Sequence, residues 1–226
     1  MKKLTCFLLL AFASFSSSLL ADMVTVTQAS FISQDTPGST HGSAMTISVD
    51  PANPLTKGLL QTPIFTSEGG TIPDGSTITS ATLDLVVTTG TSSNNVMDLH
   101  RVITPWAEDT VTWNSFNSGG VAGTDYDATA EDGQVPSGGT TTFNVTSLVQ
   151  EWSNGTANRG VIIISRNVPT AGDGVLWDSD DTTTASNRPV FNINYTAVPE
   201  PSQFLLMGLV AGVVVSFKVW KKRRQA

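Results

Sequence analysis

Short runs of alternating apolar and polar residues, each closed by a turn, fill the middle of the chain. In Thr82–Val87, Leu83, Leu85 and Val87 alternate with Thr82, Asp84 and Val86, the period of a strand with one buried face. The same rule sets Met97, Leu99 and Arg101 against Asp98, His100 and Val102 on a second strand. Runs of this kind predict strands over Val24–Gln28, Met45–Val49, Leu59–Phe65, Ile78–Thr88, Val96–Thr104, Thr141–Val145, Val161–Ser165, Val175–Asp178 and Val190–Tyr195. Turn chemistry separates them: Pro73-Asp74-Gly75, Asn94-Asn95, Ser118-Gly119-Gly120, Ser137-Gly138-Gly139 and Gly172-Asp173-Gly174. One short helix is expected, with Ser147 as cap and Gln150 completing a capping box. Leu148, Val149 and Trp152 share its buried face, and Gly155 stops it. Many short strands, frequent turns and so little helix predict an all-β, jelly-roll-like antiparallel β-sandwich.

The stretch Thr104–Ser115, TPWAEDTVTWNS, stands out within this pattern. Trp106 and Trp113 bracket the acidic pair Glu108-Asp109 and a β-branched run. Such a stretch reads as a pin holding a strand end against another sheet, its indoles packed into the core. An exposed sugar-stacking platform is the alternative for them.

Both ends depart from the β pattern. Lys2 and Lys3, an apolar run from Leu4 to Ala13 and a Ser-rich stretch ending in Leu19-Leu20-Ala21 make residues 1–21 a secretory signal peptide. Residues 22–196 form the sandwich domain, and 197–203 a linker containing Pro199, Glu200 and Pro201. Phe204–Trp220 is a largely apolar transmembrane helix, and 221–226 a basic tail kept on the cytoplasmic side.

The only cysteine, Cys6, lies in the leader, so the exported form has no disulfide, thiol nucleophile or thiolate metal site. Asp22–Tyr195 carries 14 Asp and 4 Glu against Lys57, Arg101, Arg159, Arg166 and Arg188, a net −13, whereas the whole chain is −7. A body this acidic repels phosphate backbones, which argues against nucleic acid as a partner.

Two resemblances follow from these residues. Val198-Pro199-Glu200-Pro201-Ser202, the apolar helix with Gly208 and Gly212, and Lys221-Lys222-Arg223-Arg224 together resemble the PEP-CTERM sorting signal. That resemblance implies processing by an exosortase-type enzyme in a Gram-negative, exopolysaccharide-producing bacterium. The precursor would be anchored in the inner membrane, with the mature form at the cell surface or in the extracellular matrix. The body resembles a secreted domain family named for its DNRLRE-type motif. The matching stretches are Thr36–Gly42, Ile72–Leu83, His100-Arg101-Val102, Trp106–Asn114, Asn144–Trp152, Asn158–Val161 and Arg188-Pro189. It implies a jelly-roll-like sandwich that is not catalytic and serves a glycan-binding or matrix role, with biofilm exopolysaccharide as the expected ligand. The chain departs from the family's pattern at Ser30-Phe31-Ile32, where an acidic and an aromatic residue are usual. It departs again near Lys57 and at Leu176–Asp181.

No catalytic constellation is evident. His41 and His100 have no metal-ligand spacing, and His100 is expected to face solvent. Glu108 and Asp109 are sequence neighbours that point apart on a strand, poor partners for one glycosidic bond. A turn role, accepting backbone N–H groups, suits Glu108 better. Trp177-Asp178-Ser179-Asp180-Asp181 offers three readings: core and turn structure, a glycan contact through Trp177 and Asp178, or calcium on Asp178, Asp180 and Asp181. No other cofactor is implied. Arg101, Arg159 and Arg166 would meet the carboxylates of an anionic polysaccharide, although Arg101 is expected to pair with Asp98 or Glu108. A structural or adhesive protein acting through protein contacts, without glycan, is the alternative function.

Overall fold

Strand β5 (Thr77–Val86) buries Ile78, Ala81, Leu83 and Leu85, and the sandwich is laid out from it. The computed structural model describes residues 18–52, 54–88, 93–166 and 174–198. Around β5 lie β11 (Val190–Thr196), β8 (Thr140–Asn144) and β1 (Leu19–Thr25), in the sheet order β1-β11-β5-β8. The alternation of β5 slips between Ile78 and Ala81, opposite a register shift at Asn194/Tyr195 of β11. A bulge of this kind re-aims a strand without breaking the sheet.

The second sheet runs β2 (Gln28–Ser33), β4 (Thr56–Gln61), β9 (Val161–Ser165), β6 (Met97–Arg101), β7 (Asp132–Gln134). A ribbon of β3 (Thr46–Val49) and β10 (Val175–Asp178) joins the two sheets, through bridges Val87↔Trp177 and Asp50↔Thr56. Every strand pair is antiparallel. Leu83, Phe143, Phe191, Leu60, Ile163, Ile47 and Trp177 meet between the sheets as one core.

The helix, α1, spans Thr146–Ser153 and buries Leu148, Val149 and Trp152 as expected. The capping box does not form. Gln150 instead accepts the N–H of Ile78 at 2.7 Å and donates to the Ser76 carbonyl at 3.2 Å, tying α1 to the start of β5. A side chain that satisfies a strand's orphan N–H gains more than one satisfying its own solvated helix end.

The expected strand over Val24–Gln28 straddles the corner at Val26-Thr27, with Val24 and Thr25 ending β1 and Gln28 starting β2, and Leu59–Phe65 begins three residues earlier, at Thr56. Five of the six residues of β4 are buried. It is covered on both faces, so alternation gives no guide to its ends. Residues 1–17 of the expected leader, the Pro-Glu-Pro motif and the expected transmembrane segment lie outside the described residues. Among the described residues no helix is long and apolar enough to cross a membrane.

Candidate functional site

Behind the second sheet, on the side away from the main core, Ile32, Leu59, Ile162 and Val102 make a second apolar layer. The chain between β6 and β7 covers it, inserting Val111, Trp113 and Phe116. Trp113 therefore pins its own loop to the outside of a sheet and does not bridge two sheets. The same cover reverses the expectation for His100, which is 9% exposed. Its Nδ1 donates to the Asp127 carbonyl at 2.8 Å, and its ring meets Tyr126 edge-on.

Lys57 fastens this loop. Its Nζ donates to the Gly119 carbonyl at 2.6 Å and lies 5.7 and 5.6 Å from the ring centres of Trp113 and Tyr126. Burial depresses the lysine pKa, and the charge of Asp125 works against that depression. Asp125, 2% exposed, accepts from the Val121 N–H, Thr104 and Asn117. Burial alone would raise its pKa, but these bonds and Lys57 outweigh it and hold the group ionised. Gly119 sits at φ +96°, and a Cβ there would come within 2.5 Å of the Trp113 ring, so loop and indole need that glycine.

The loop also presents Trp106. It is half-buried against the apolar layer, whereas Trp113, Trp152 and Trp177 are buried, so it is the only partly open indole among the described residues. Its Nε1 donates to the Arg159 carbonyl at 2.9 Å, which fixes the ring's orientation. Arg159 is itself half-buried and has no ion pair among the described residues. Arg101 and Arg166 are engaged elsewhere. Arg101 Nε lies 2.6 Å from Asp127 and 3.9 Å from Glu151, so its expected partners Asp98 and Glu108 are corrected to these. Asp98 instead takes Arg166, through Nε and Nη2 at 2.9 and 2.6 Å.

Trp177 offers no stacking face. It is 0% exposed, packs edge-on against Phe143, and its Nε1 donates to Thr141 Oγ1 at 3.1 Å. Along β10 the side chains alternate, so Asp178 points the other way and accepts from Asn187 Nδ2 at 2.9 Å. Asp178 is therefore not grouped with Asp180 and Asp181, as expected for calcium. Glu108 takes its place: oxygens of Glu108, Asp180 and Asp181 lie within 4.8 Å of one another.

Glu108 accepts the Ala29 N–H at 2.8 Å, on the free edge of β2. Its role as a backbone acceptor is as expected, but the partner lies 79 residues away and not in its own turn. A Cβ on Gly42 would come within 2.5 Å of Glu108 Cγ, so the segment after β2 closes tightly over this carboxylate. Burial pushes its pKa up to about 7, with the charges of Asp180, Asp181 and Asp109 adding to the rise.

Residues 21–195 match the model of carbohydrate-binding module family 96. The chain belongs to that family. Among curated proteins no sequence matches it. Membership of a carbohydrate-binding module family points to a carbohydrate ligand and to a kind of domain that is typically not catalytic. In this member of family 96 the two histidines are both held in packing contacts, His41 stacked on Phe31 at 4.1 Å and His100 against Tyr126.

The raised Glu108 pKa gives the module a pH dependence. A carboxyl that binds its proton more tightly when folded adds stability below its unfolded pKa, and loses it as pH rises through the folded value. In chelator-treated buffer, the melting temperature is expected to fall between roughly pH 5 and pH 8, in the window set by the shift from 4.5 to about 7. Glu108→Gln should flatten that slope. A slope unchanged in the variant would assign it to other groups.

Proposed function

We propose that this family 96 module is exported and binds polysaccharide on the surface formed by Trp106 and Arg159. One observation carries the choice of surface. Among the described residues Trp106 is the one indole left partly open, its orientation held by the bond from Nε1 to the Arg159 carbonyl, and Arg159 itself has no ion pair among them. Sugars stack their C–H faces on aromatic rings, and a neighbouring guanidinium donates to hydroxyls or to a uronate carboxylate. Arg101 and Arg166 are tied to Asp127 and Asp98 and serve the fold.

The test is affinity electrophoresis of the purified full chain through neutral and uronic-acid polysaccharides. Trp106→Ala is expected to weaken retention by about tenfold or more, the usual cost of truncating an aromatic anchor. Arg159→Ala weakens it further for acidic polymers. Retention untouched by either change would move the site elsewhere, and no retention by any polymer would sink the polysaccharide reading.

The export route rests on the leader, the Pro-Glu-Pro linker and the apolar segment with its basic end. The exosortase-type partner and the exopolysaccharide matrix follow from that signal. The geometry suits such an arrangement: Leu19 of β1 pairs with Thr196 of β11, so the two flanking segments join the sandwich at one corner. A cut after Ala21 would remove three residues of β1 and leave Asp22–Thr25 paired with Ile193–Val190. We read the sandwich as jelly-roll-like.

A second reading, adhesion through protein contacts, has its own observation. β1 is an edge strand, and Met23 on it is 72% exposed. Exposed apolar edge strands recruit further strands. Concentration-dependent assembly without glycan, abolished by Met23→Lys, would favour it.

A further inference from the structure

We propose that Glu108, Asp180 and Asp181 form a calcium site that staples the loop after β6 to the turn after β10, beside the free edge of β2. The three carboxylates come from segments 72 residues apart in sequence, yet their oxygens lie within 4.8 Å of one another. Three carboxylates held that close repel one another when ionised, and either a proton or a bound cation relieves the repulsion. The protein supplies little to do so. The Ala29 N–H donates to Glu108 Oε1; burial and the charge of Asp181 raise the Asp180 pKa, and nearby backbone N–H groups and the charge of Arg188 offset that only in part.

A second, independent observation points to a ligand. Asp180 Oδ1 is cut off from solvent and has no hydrogen-bond partner among the described residues. A carboxylate oxygen in that state has lost its water and found nothing in exchange, at a cost that native structures seldom carry. A metal ion satisfies several carboxylate oxygens at once where a single N–H cannot.

The donor chemistry selects the ion. All three ligands are hard oxygens, with neither His nor Cys among them, which excludes a zinc-type set. Calcium takes six to eight oxygens at about 2.3–2.6 Å, so one ion reaches donors spread over a few ångströms. Magnesium binds at about 2.0–2.1 Å, keeps most of its water and prefers fewer protein carboxylates. Asp181 is the exposed member, and water on its side completes the shell. The consequence reaches the proposed glycan surface, because Trp106 lies two residues before Glu108 on the same loop.

The test uses the full chain, purified in detergent and stripped with chelator. Calcium at about a hundred times its dissociation constant is expected to raise the melting temperature by about 5–10 °C. Terbium should bind in its place and emit when tryptophan is excited, and calcium should displace it. Asp180→Asn and Glu108→Gln should each weaken calcium binding about tenfold or more. In chelator the same variants should melt at or above the wild-type temperature, because the repulsion is relieved. A merely structural hydrogen-bonding role for these side chains predicts the opposite. The proposal falls if calcium changes neither melting nor terbium emission, if magnesium acts equally well, or if the variants retain the full calcium response. The glycan surface is scored separately: calcium binding with no polysaccharide retention leaves the metal site standing and removes only the binding surface.

Discussion

Trp177→Ala is expected to lower the unfolding free energy of the module by about 3–5 kcal/mol, the range for truncating a large buried aromatic. The indole is fully buried, touches Phe143 edge-on and donates to Thr141 Oγ1 across the space between the sheets. Its strand partner Ile47 and its bridge to Val87 join the β3–β10 ribbon to β5. Removal therefore leaves a cavity where ribbon and sheets meet, and it orphans the Thr141 hydroxyl. Domains of this size have only about 5–15 kcal/mol in hand, so the variant should lie near the edge of folding at 37 °C. Urea unfolding followed by tryptophan fluorescence measures the loss. Below the transition, Trp177→Ala should still bind whatever polysaccharide the wild type binds. A stability change under about 1 kcal/mol with complete loss of retention would show that the ring is a ligand platform after all.

Asp125→Ala should cost about 3 kcal/mol or more, because it takes the acceptor from the Val121 N–H, Thr104 and Asn117, at about 1–3 kcal/mol for each buried group left unpaired, and removes a charge that offsets the burial of Lys57. Asp125 gathers Thr104, Asn117 and the Val121 N–H, and its charge offsets the burial of the Lys57 ammonium. Without it Lys57 stays at the sheet surface under two aromatic rings, with the Gly119 carbonyl as its one hydrogen-bond acceptor among the described residues. The loop between β6 and β7 should loosen first. Hydrogen exchange at Val111–Phe116 is expected to accelerate well before the main core does. Asp125→Asn keeps part of the hydrogen bonding and should fall between. If exchange in the loop and in the core rises together, the second apolar layer is not a separate cooperative unit.

Much of the fold was legible because most strands have one wet face. In β5, β8 and β11 the alternation of Leu83-Asp84-Leu85, Thr142-Phe143-Asn144 and Phe191-Asn192-Ile193 is a direct imprint of core against solvent. Where that contrast vanishes, so does the signal. β4 is buried on both faces, and its start at Thr56-Lys57 looks like a surface turn in the sequence. β7, Asp132-Gly133-Gln134, has no apolar residue and exists because β6 pairs with it. The Gln150 side chain satisfies capping-box spacing, yet Ile78, 72 residues earlier, competes for it and wins.

The candidate sites divide in the same way. As residue types, Trp177, Arg159, Asp180 and Asp181 stand out in the sequence as ligand candidates and Glu108 as an acceptor of backbone N–H groups, whereas Trp106 reads first as core and only alternatively as a sugar platform. Their partners were not readable. Arg101 faces Asp127, not Asp98, because β6 sends alternate side chains to opposite faces and Asp98 leaves on the other one.

By itself the sequence determined the β class, the acidity of the body, the absence of cysteine chemistry in it, and which residue types were available for a ligand. These depend on composition and on contrasts between neighbours, which a linear pattern records. Only the tertiary structure decided which tryptophan is open and which is core. It also decided that His100 lies under a loop and that Glu108 meets two aspartates 72 and 73 residues away. Burial and charge repulsion are set by whatever the chain brings into contact, and segments far apart in sequence leave no mark on each other until the sheets are packed.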